Sequence, residues 1–291
     1  MPASIISLAW VILLTACWSV ALAQPDTEIY VFDLVKEGNS YRIENPYNIT
    51  YQNPGYDNQP HFSMDGEKLY YVSTKDGQTD IAQVELREYS WTWLTFTQGS
   101  EYSPTPIPNQ EALSAILLEK DGTQLLWKYP SDQSEPSILV PDLKIGYHCW
   151  LNEHLIVTFV LGEPATLRAC YLKEGTNHVL QKNIGRSLHK IPGQKTISYV
   201  SKEEETWWIK SLDPISGASD KIISTLPGSE DYAWAQDGTL FMGLDNKLYQ
   251  FNRATDMEWT EVKSEEDHPL KNITRLAINP KGNKIAIVVT Q

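Results

Sequence analysis

Asn58-Gln59-Pro60-His61-Phe62-Ser63-Met64-Asp65-Gly66 is followed by Leu69-Tyr70-Tyr71-Val72, by Asp76-Gly77, by Asp80 to Leu86 and by Trp91 to Thr97. Within these runs apolar side chains alternate with polar ones, which places every second residue on one face of a strand. The Asp-Gly pairs between runs supply the positive-φ residues of tight hairpins. The stretch therefore predicts four consecutive antiparallel strands in about 44 residues.

The same unit recurs outward from it. With Phe62 as the marker of an innermost strand, Pro106 and Trp150 follow at equal steps, the latter ahead of a strand from Leu155 to Leu161. His189 marks a degenerate copy with runs at Thr196 to Val200 and Trp207 to Leu212. Trp234 precedes Asp237-Gly238 and Leu240-Phe241-Met242, and Ile278 precedes Lys281-Gly282 and Ile285 to Val289. Six copies at a period of about 43 residues predict an all-β six-bladed β-propeller. A β-sandwich, the competing all-β arrangement, requires no such period.

The chain ends make a separate test. The last copy stops after two strands, which leaves an open edge prone to aggregation. Two strands without partners, Glu28 to Leu34 and Tyr41 to Gln52, precede the first full copy. Pairing them beside Lys284 to Val289 closes the ring, so the N- and C-terminal strands are expected to share the last blade. Phe62, Trp150, Trp234 and Ile278 occupy equivalent places and are expected to be buried between blades. The tryptophans, including Trp91, Trp93, Trp207 and Trp208, read as packing residues. Cys149 falls on the first strand of the third blade and Cys170 on the third strand, too far apart for a disulfide.

Of 291 residues, 24 are Lys or Arg and 37 are Asp or Glu, a formal charge of −13. That surplus repels phosphate backbones and anionic headgroups, so nucleic acid is not an expected partner. Residues 5–22 form an apolar run ending in Ala21-Leu22-Ala23, a secretory signal with an A-x-A cleavage site. This reading assigns 1–23 to the signal peptide and 24–291 to a single propeller domain, monomeric, without a membrane span in the mature chain, and periplasmic or secreted. Leu14-Thr15-Ala16-Cys17 also reads as a bacterial lipobox, whose outcome is a lipid anchor on Cys17.

The words from Asn58 to Gly66 and Ile278-Asn279-Pro280-Lys281-Gly282 resemble the WD-like P-x-F-S-P-D-G motif on the inner strands of TolB-like propellers. Gly146-Tyr147-His148, Phe159 to Pro164 and Gly185-Arg186-Ser187-Leu188 complete a resemblance to a secreted bacterial branch of that family, without the additional N-terminal domain of TolB. The resemblance implies a non-enzymatic scaffold that binds a protein, peptide or other ligand of the envelope or the exterior. Fold alone does not settle function.

Gly185-Arg186-Ser187-Leu188-His189 lacks the second glycine of a G-x-S-x-G nucleophile elbow. No P-loop, G-x-G-x-x-G or calcium-loop motif is present. The expected site is the mouth of the central channel. Three residues before the markers stand Gln59, Ser103, Tyr147, Arg186, Asp231 and Arg275, with Asp57, Asn58, Glu101 and Tyr102 further out and His61 and His148 beside them. Such convergent polar groups suit a peptide terminus, an anion on Arg186 and Arg275, or a cation on Asp57 and Asp231. The alternative function is a calcium-dependent hydrolase or lactonase in the same channel. There Asp57, Asn58, Glu101 and Asp231 would supply oxygen ligands to Ca²⁺.

Overall fold

A computed structural model describes residues 24–265 and 268–291, which form 24 strands. The expected leader and Cys17 lie outside the described residues. Strands β1 (Thr27–Glu37) and β2 (Ser40–Asn48) precede blade one, which comprises β3 (Asn58–Phe62), β4 (Lys68–Lys75), β5 (Gln78–Glu85) and β6 (Ser90–Trp93). Blade two is β7 (Ser100–Pro106), β8 (Ala112–Leu118), β9 (Gln124–Pro130) and β10 (Ser137–Val140). Blade three is β11 (Ile145–Asn152), β12 (Leu155–Val160), β13 (Thr166–Tyr171) and β14 (Thr176–Lys182). Blade four is β15 (Ile184–Lys190), β16 (Ile197–Ser201), β17 (Trp208–Leu212) and β18 (Ser219–Ser224). Blade five is β19 (Tyr232–Trp234), β20 (Thr239–Leu244), β21 (Lys247–Asn252) and β22 (Thr260–Glu261). The sixth sheet runs from β23 (Arg275–Ile278) through β24 (Lys284–Thr290) to β1 and β2.

The ring is a six-bladed β-propeller closed as the sequence predicts. β1 lies antiparallel to β24 in an unbroken register from Thr27 opposite Thr290 to Asp33 opposite Lys284. Because neighbouring blades cover both faces of this sheet, β24 is apolar at almost every position. Ile285, Ile287 and Val289 pack toward blade five, while Ala286 and Val288 pack toward blade one. Each fully buried Ile or Val contributes roughly 1.5–3 kcal/mol, which makes the closing strand a principal source of stability. Asp76 (φ 51°) and Gly77 (φ 83°) turn the β4–β5 hairpin with two left-handed residues, the conformation the Asp-Gly pair favours.

Some details differ from expectation. β2 ends at Asn48 and not at Gln52, because the Asn48 side chain accepts the Thr50 N–H (2.9 Å) and the backbone turns. Phe62 and Trp150 are buried, but Trp234 and Ile278 are only half-buried. Both stand at the last residue of a short inner strand, where the sheet leaves one side uncovered. Cys149 and Cys170 occupy the predicted strands as free, buried thiols. They face opposite ways: Cys149 packs in the core shared with blade four and Cys170 in the core shared with blade two.

The contact between blades one and two holds a small buried apolar cluster. Its buried apolar set is Ile81, Leu113 and Ala115. Buried acids stand beside it: Asp80 on β5 and Glu101 on β7. An equivalent pair, Glu28 on β1 and Asp57 just before β3, lies where blade six meets blade one. In both places a threonine preceding the first acid donates to the backbone carbonyl of the second, Thr27 to Asp57 (2.9 Å) and Thr79 to Glu101 (3.1 Å).

Candidate functional site

The inner strands are not smooth, and their irregularities aim the site. The ladder between β3 and β4 slips between Asn58 and His61, and that between β7 and β8 between Tyr102 and Thr105. Pro60 and Pro104 have no N–H to give to a ladder, and the residue before each, Gln59 and Ser103, takes a φ of 55°. The two bulges bring these side chains together although they belong to different blades. Gln59 Oε1 accepts from the Ser103 backbone N–H (2.6 Å) and from its hydroxyl (3.1 Å), while Gln59 Nε2 donates to the Tyr56 hydroxyl (3.1 Å).

On the other side of the mouth the chemistry is ionic. Arg186 donates through Nε (3.2 Å) and Nη2 (2.5 Å) to the two oxygens of Asp231. Arg275 Nη1 donates to the same carboxylate at 3.2 Å. Glu230 accepts the Arg186 backbone N–H (3.1 Å) and pairs with Lys202 (2.9 Å). Burial opposes the charge on Arg186, but the hydrogen bonds and negative charge of Asp231, with Glu230 beyond, hold its pKa above the usual arginine value. Arg275, deeper, is raised for the same reason.

Gln59, Ser103, Tyr147, Arg186, Asp231 and Arg275, one from each blade, therefore line a single cavity of about 110 Å³. His61 and His148 line it as well, and so does His189, which the sequence offered only as a strand marker. Burial, and next the charge of His61, take His148 down to about 3 and His189 to about 4. His61 opens to the lumen but has protein around it on every side, and that depth lowers its pKa too. The wall of imidazoles is thus neutral at ordinary pH. His148 Nε2 lies 2.7 Å from the Ser114 hydroxyl, and its buried Nδ1 has no partner among the described residues.

Asp57, Asn58, Glu101 and Tyr102 are not at the mouth. Asp57 and Glu101 are fully buried between blades and Asn58 nearly so, while Tyr102 is half-buried against the core of blades two and three. The bulges are the physical reason: after the extra residue the side chains turn to the channel, and before it they point sideways into the neighbouring blade. Asp57 accepts from Ser73 and from Asn53 (3.3 Å), and Glu101 from Thr97 and from Thr95 (3.2 Å).

With the ring and its mouth defined, the chain can be set beside solved structures. It superposes on a protein of Agrobacterium tumefaciens assigned as TolB with a TM-score of 0.70 and 12% identity, over 92% of this chain and 99% of that one. The fold is that of a TolB-like propeller. TolB from Acinetobacter baumannii gives a TM-score of 0.56 at 11% identity, over 91% of this chain and 64% of that one. An oligogalacturonate lyase in complex with manganese gives 0.60 at 12% identity, over 93% of this chain and 99% of that one. No protein-family model matches the sequence, and no curated protein matches it. At such identities the shared property is the fold.

In this TolB-like propeller the oxygen donors expected for calcium do not meet. Asp57 is tied to Ser73 and Asn53, Glu101 to Thr95 and Thr97, and Asp231 to two guanidiniums, each in a different place. Among the described residues no three His, Cys, Asp or Glu side chains are grouped closely enough to hold a metal. Nor is any described helix long and apolar enough to cross a membrane.

Proposed function

We propose that this TolB-like propeller is an exported, non-enzymatic scaffold that recognises a protein or peptide at its channel mouth, taking an acidic group of the partner on Arg186 and Arg275. The observation that carries this reading is the pairing of two guanidiniums with the one carboxylate of Asp231, in a chain that is otherwise strongly acidic. Arg186 keeps 35% of its side chain exposed, so a carboxylate from outside meets a fork of N–H donors already fixed in place. The A-x-A leader supports a periplasmic or secreted address.

A hydrolytic reading finds less support. Ser187 Oγ lies 3.0 Å from His189 Nε2, but an imidazole whose pKa is drawn down to about 4 is a weak base for activating a hydroxyl. A calcium-dependent mechanism requires ligands that are engaged separately here.

The test is affinity capture from envelope extracts with the wild-type protein and with Arg186→Glu. A partner retained by the wild type and lost by the variant, with the variant still folded by circular dichroism, is the expected result. Equal retention by both, or no specific partner, would count against the mouth as the recognition site.

A further inference from the structure

A second cavity, of about 150 Å³, opens away from the channel where blade six meets blade one. Its walls include Tyr47, Tyr71, Tyr89, Trp91 and Trp93. Tyr47 and Tyr89 are stacked with ring centroids 3.9 Å apart, and Trp91 stands at 88° to Trp93. Tyr47 is 39% and Trp91 48% exposed, so these rings are not consumed by packing as the sequence suggested for Trp91. The polar part of the lining includes Thr50, Gln52, Asn53 and Ser73.

Behind that polar lining lie carboxylates that no cationic side chain among the described residues pairs with. The Thr50 hydroxyl donates to Glu28, and the Ser73 hydroxyl and Asn53 amide donate to one oxygen of Asp57. The other oxygen, Asp57 Oδ2, is buried without a partner among the described residues. The neighbouring charges that act on Asp57, those of Glu28 and Asp26, are both negative. Burying carboxylates without a counter-ion costs several kcal/mol each, so the arrangement favours a cation arriving from outside. Aromatic faces attract cations through their quadrupoles and accept methyl groups where water would be expelled. One ring of the set already carries an ammonium: Lys75 Nζ is 5.1 Å from the Trp93 ring centroid, and 4.4 Å from that of Phe96 outside the cavity. Its charge acts on Asp80, at the next blade contact.

We propose that this cavity binds an organic ammonium ion, a quaternary or methylated amine seated against Tyr47, Tyr89 and Trp91 above the Glu28 and Asp57 carboxylates. A sugar would need flat open platforms, and here the indoles are perpendicular. A bare metal ion would need converging oxygens, and here the walls are rings. A cavity near 150 Å³ is about the size that holds benzene, which suits a trimethylammonium headgroup.

The experiment titrates the full mature chain with choline and tetramethylammonium at mildly alkaline pH, read by calorimetry and by the fluorescence of Trp91 and Trp93. Its control is 3,3-dimethylbutan-1-ol, the same shape without the charge. Saturable choline binding is expected, with none for the alcohol and a loss of about tenfold or more in Trp91→Ala and in Asp57→Asn. Trp91 lies exposed on a short outer strand, so its variant keeps the core intact and tests the ring independently of the carboxylate. Phosphatidylcholine vesicles that sediment the protein, reversibly with choline, assign the group to lipid; choline binding without sedimentation assigns it to a free solute. No choline binding, equal binding of the alcohol, or binding unchanged in Trp91→Ala overturns the proposal. Arg186→Glu leaves this binding intact, which separates the result from that at the mouth.

Discussion

Arg275 Nη2 donates a 3.0 Å hydrogen bond to the Tyr147 hydroxyl, from blade six to blade three, across the centre of a six-membered ring. The guanidinium also stands 5.1 Å from the Tyr147 ring centroid and pairs with Asp231. The channel is barred at this level by the protein's own side chains, so a ligand arriving at the mouth is stopped there. Arg275→Ala is expected to cost on the order of 2 kcal/mol, less than a fully broken buried pair because Arg186 still neutralises Asp231. Urea unfolding checks this, and Arg275→Lys should fall between the two, since it restores the charge without the fork. A loss below about 0.5 kcal/mol, the range of an ordinary surface change, would mean the bridge does not form.

The buried acids flanking blade one make stability depend on pH in an unusual direction. Burial, against the hydrogen bonds of Ser73 and Asn53, takes Asp57 from 3.8 to about 7. Burial likewise takes Glu101 from 4.5 to about 7. Between those limits the folded chain holds protons that the unfolded chain has released, so these groups lower stability as pH rises toward 7, with no further change above it. Asp237 works oppositely: despite its burial, hydrogen bonds from Lys36 and Tyr41 hold it at about 2. Its contribution is present above 3.8 and is lost as pH falls through about 2. Asp57→Asn should therefore stabilise the protein at alkaline pH, by roughly 1–4 kcal/mol, and flatten the decline. Melting curves across this range decide it; a variant less stable than wild type at alkaline pH would refute the assignment.

Ring closure offers a direct measurement. Ile287 is fully buried on β24, between β1 and β23, and packs toward blade five. Ile287→Ala should cost about 2–5 kcal/mol, whereas Ile215→Ala, at a position 79% exposed, should stay within about 0.5 kcal/mol. Similar small losses for both would argue that the terminal strands do not seal the ring.

The blade count and the pairing of Glu28 to Leu34 with Lys284 to Val289 were legible because period-2 alternation repeats and because half-blades at both ends need each other. The mouth was legible for a related reason: residues at one phase of an inner strand converge on the axis, which is how Tyr147, Arg186, Asp231 and Arg275 came together. Asp57 and Glu101 were misplaced because a bulge changes the phase, and the only written trace of the bulges is the proline after Gln59 and after Ser103. His189 reads only as the marker of a strand until the lumen is seen. The aromatic cavity was illegible, since Tyr47 belongs to blade six and Trp91 to blade one, and only closure of the ring makes them neighbours.

Thiol chemistry gives an inexpensive check of the third blade. Cys149, buried, is pushed by that burial up to about 12, and burial raises Cys170 as well. Neither should react with a thiol reagent in the native protein at neutral pH, and both should react at once in denaturant. Fast native labelling of either would contradict the opposed packing of the two residues.

The repeat also places one serine twice in the same role. The Ser114 hydroxyl accepts from Trp150 Nε1 and the Ser198 hydroxyl from Trp234 Nε1, each at 2.8 Å and each between adjacent blades. Ser114 also holds His148 Nε2, whose ring has already lost one partner. Ser198 holds the buried Tyr232 hydroxyl (2.8 Å), but Trp234 is half-exposed and water can replace its acceptor. Removing one partner from a buried group costs about 1–3 kcal/mol. Ser114→Ala, which strands two buried nitrogens, should therefore lie at the upper end of that range and exceed Ser198→Ala, which strands one buried hydroxyl. Equilibrium unfolding of the two variants measures the order, and a reversed order would show that the Trp150, Ser114 and His148 contacts do not hold blades two and three together.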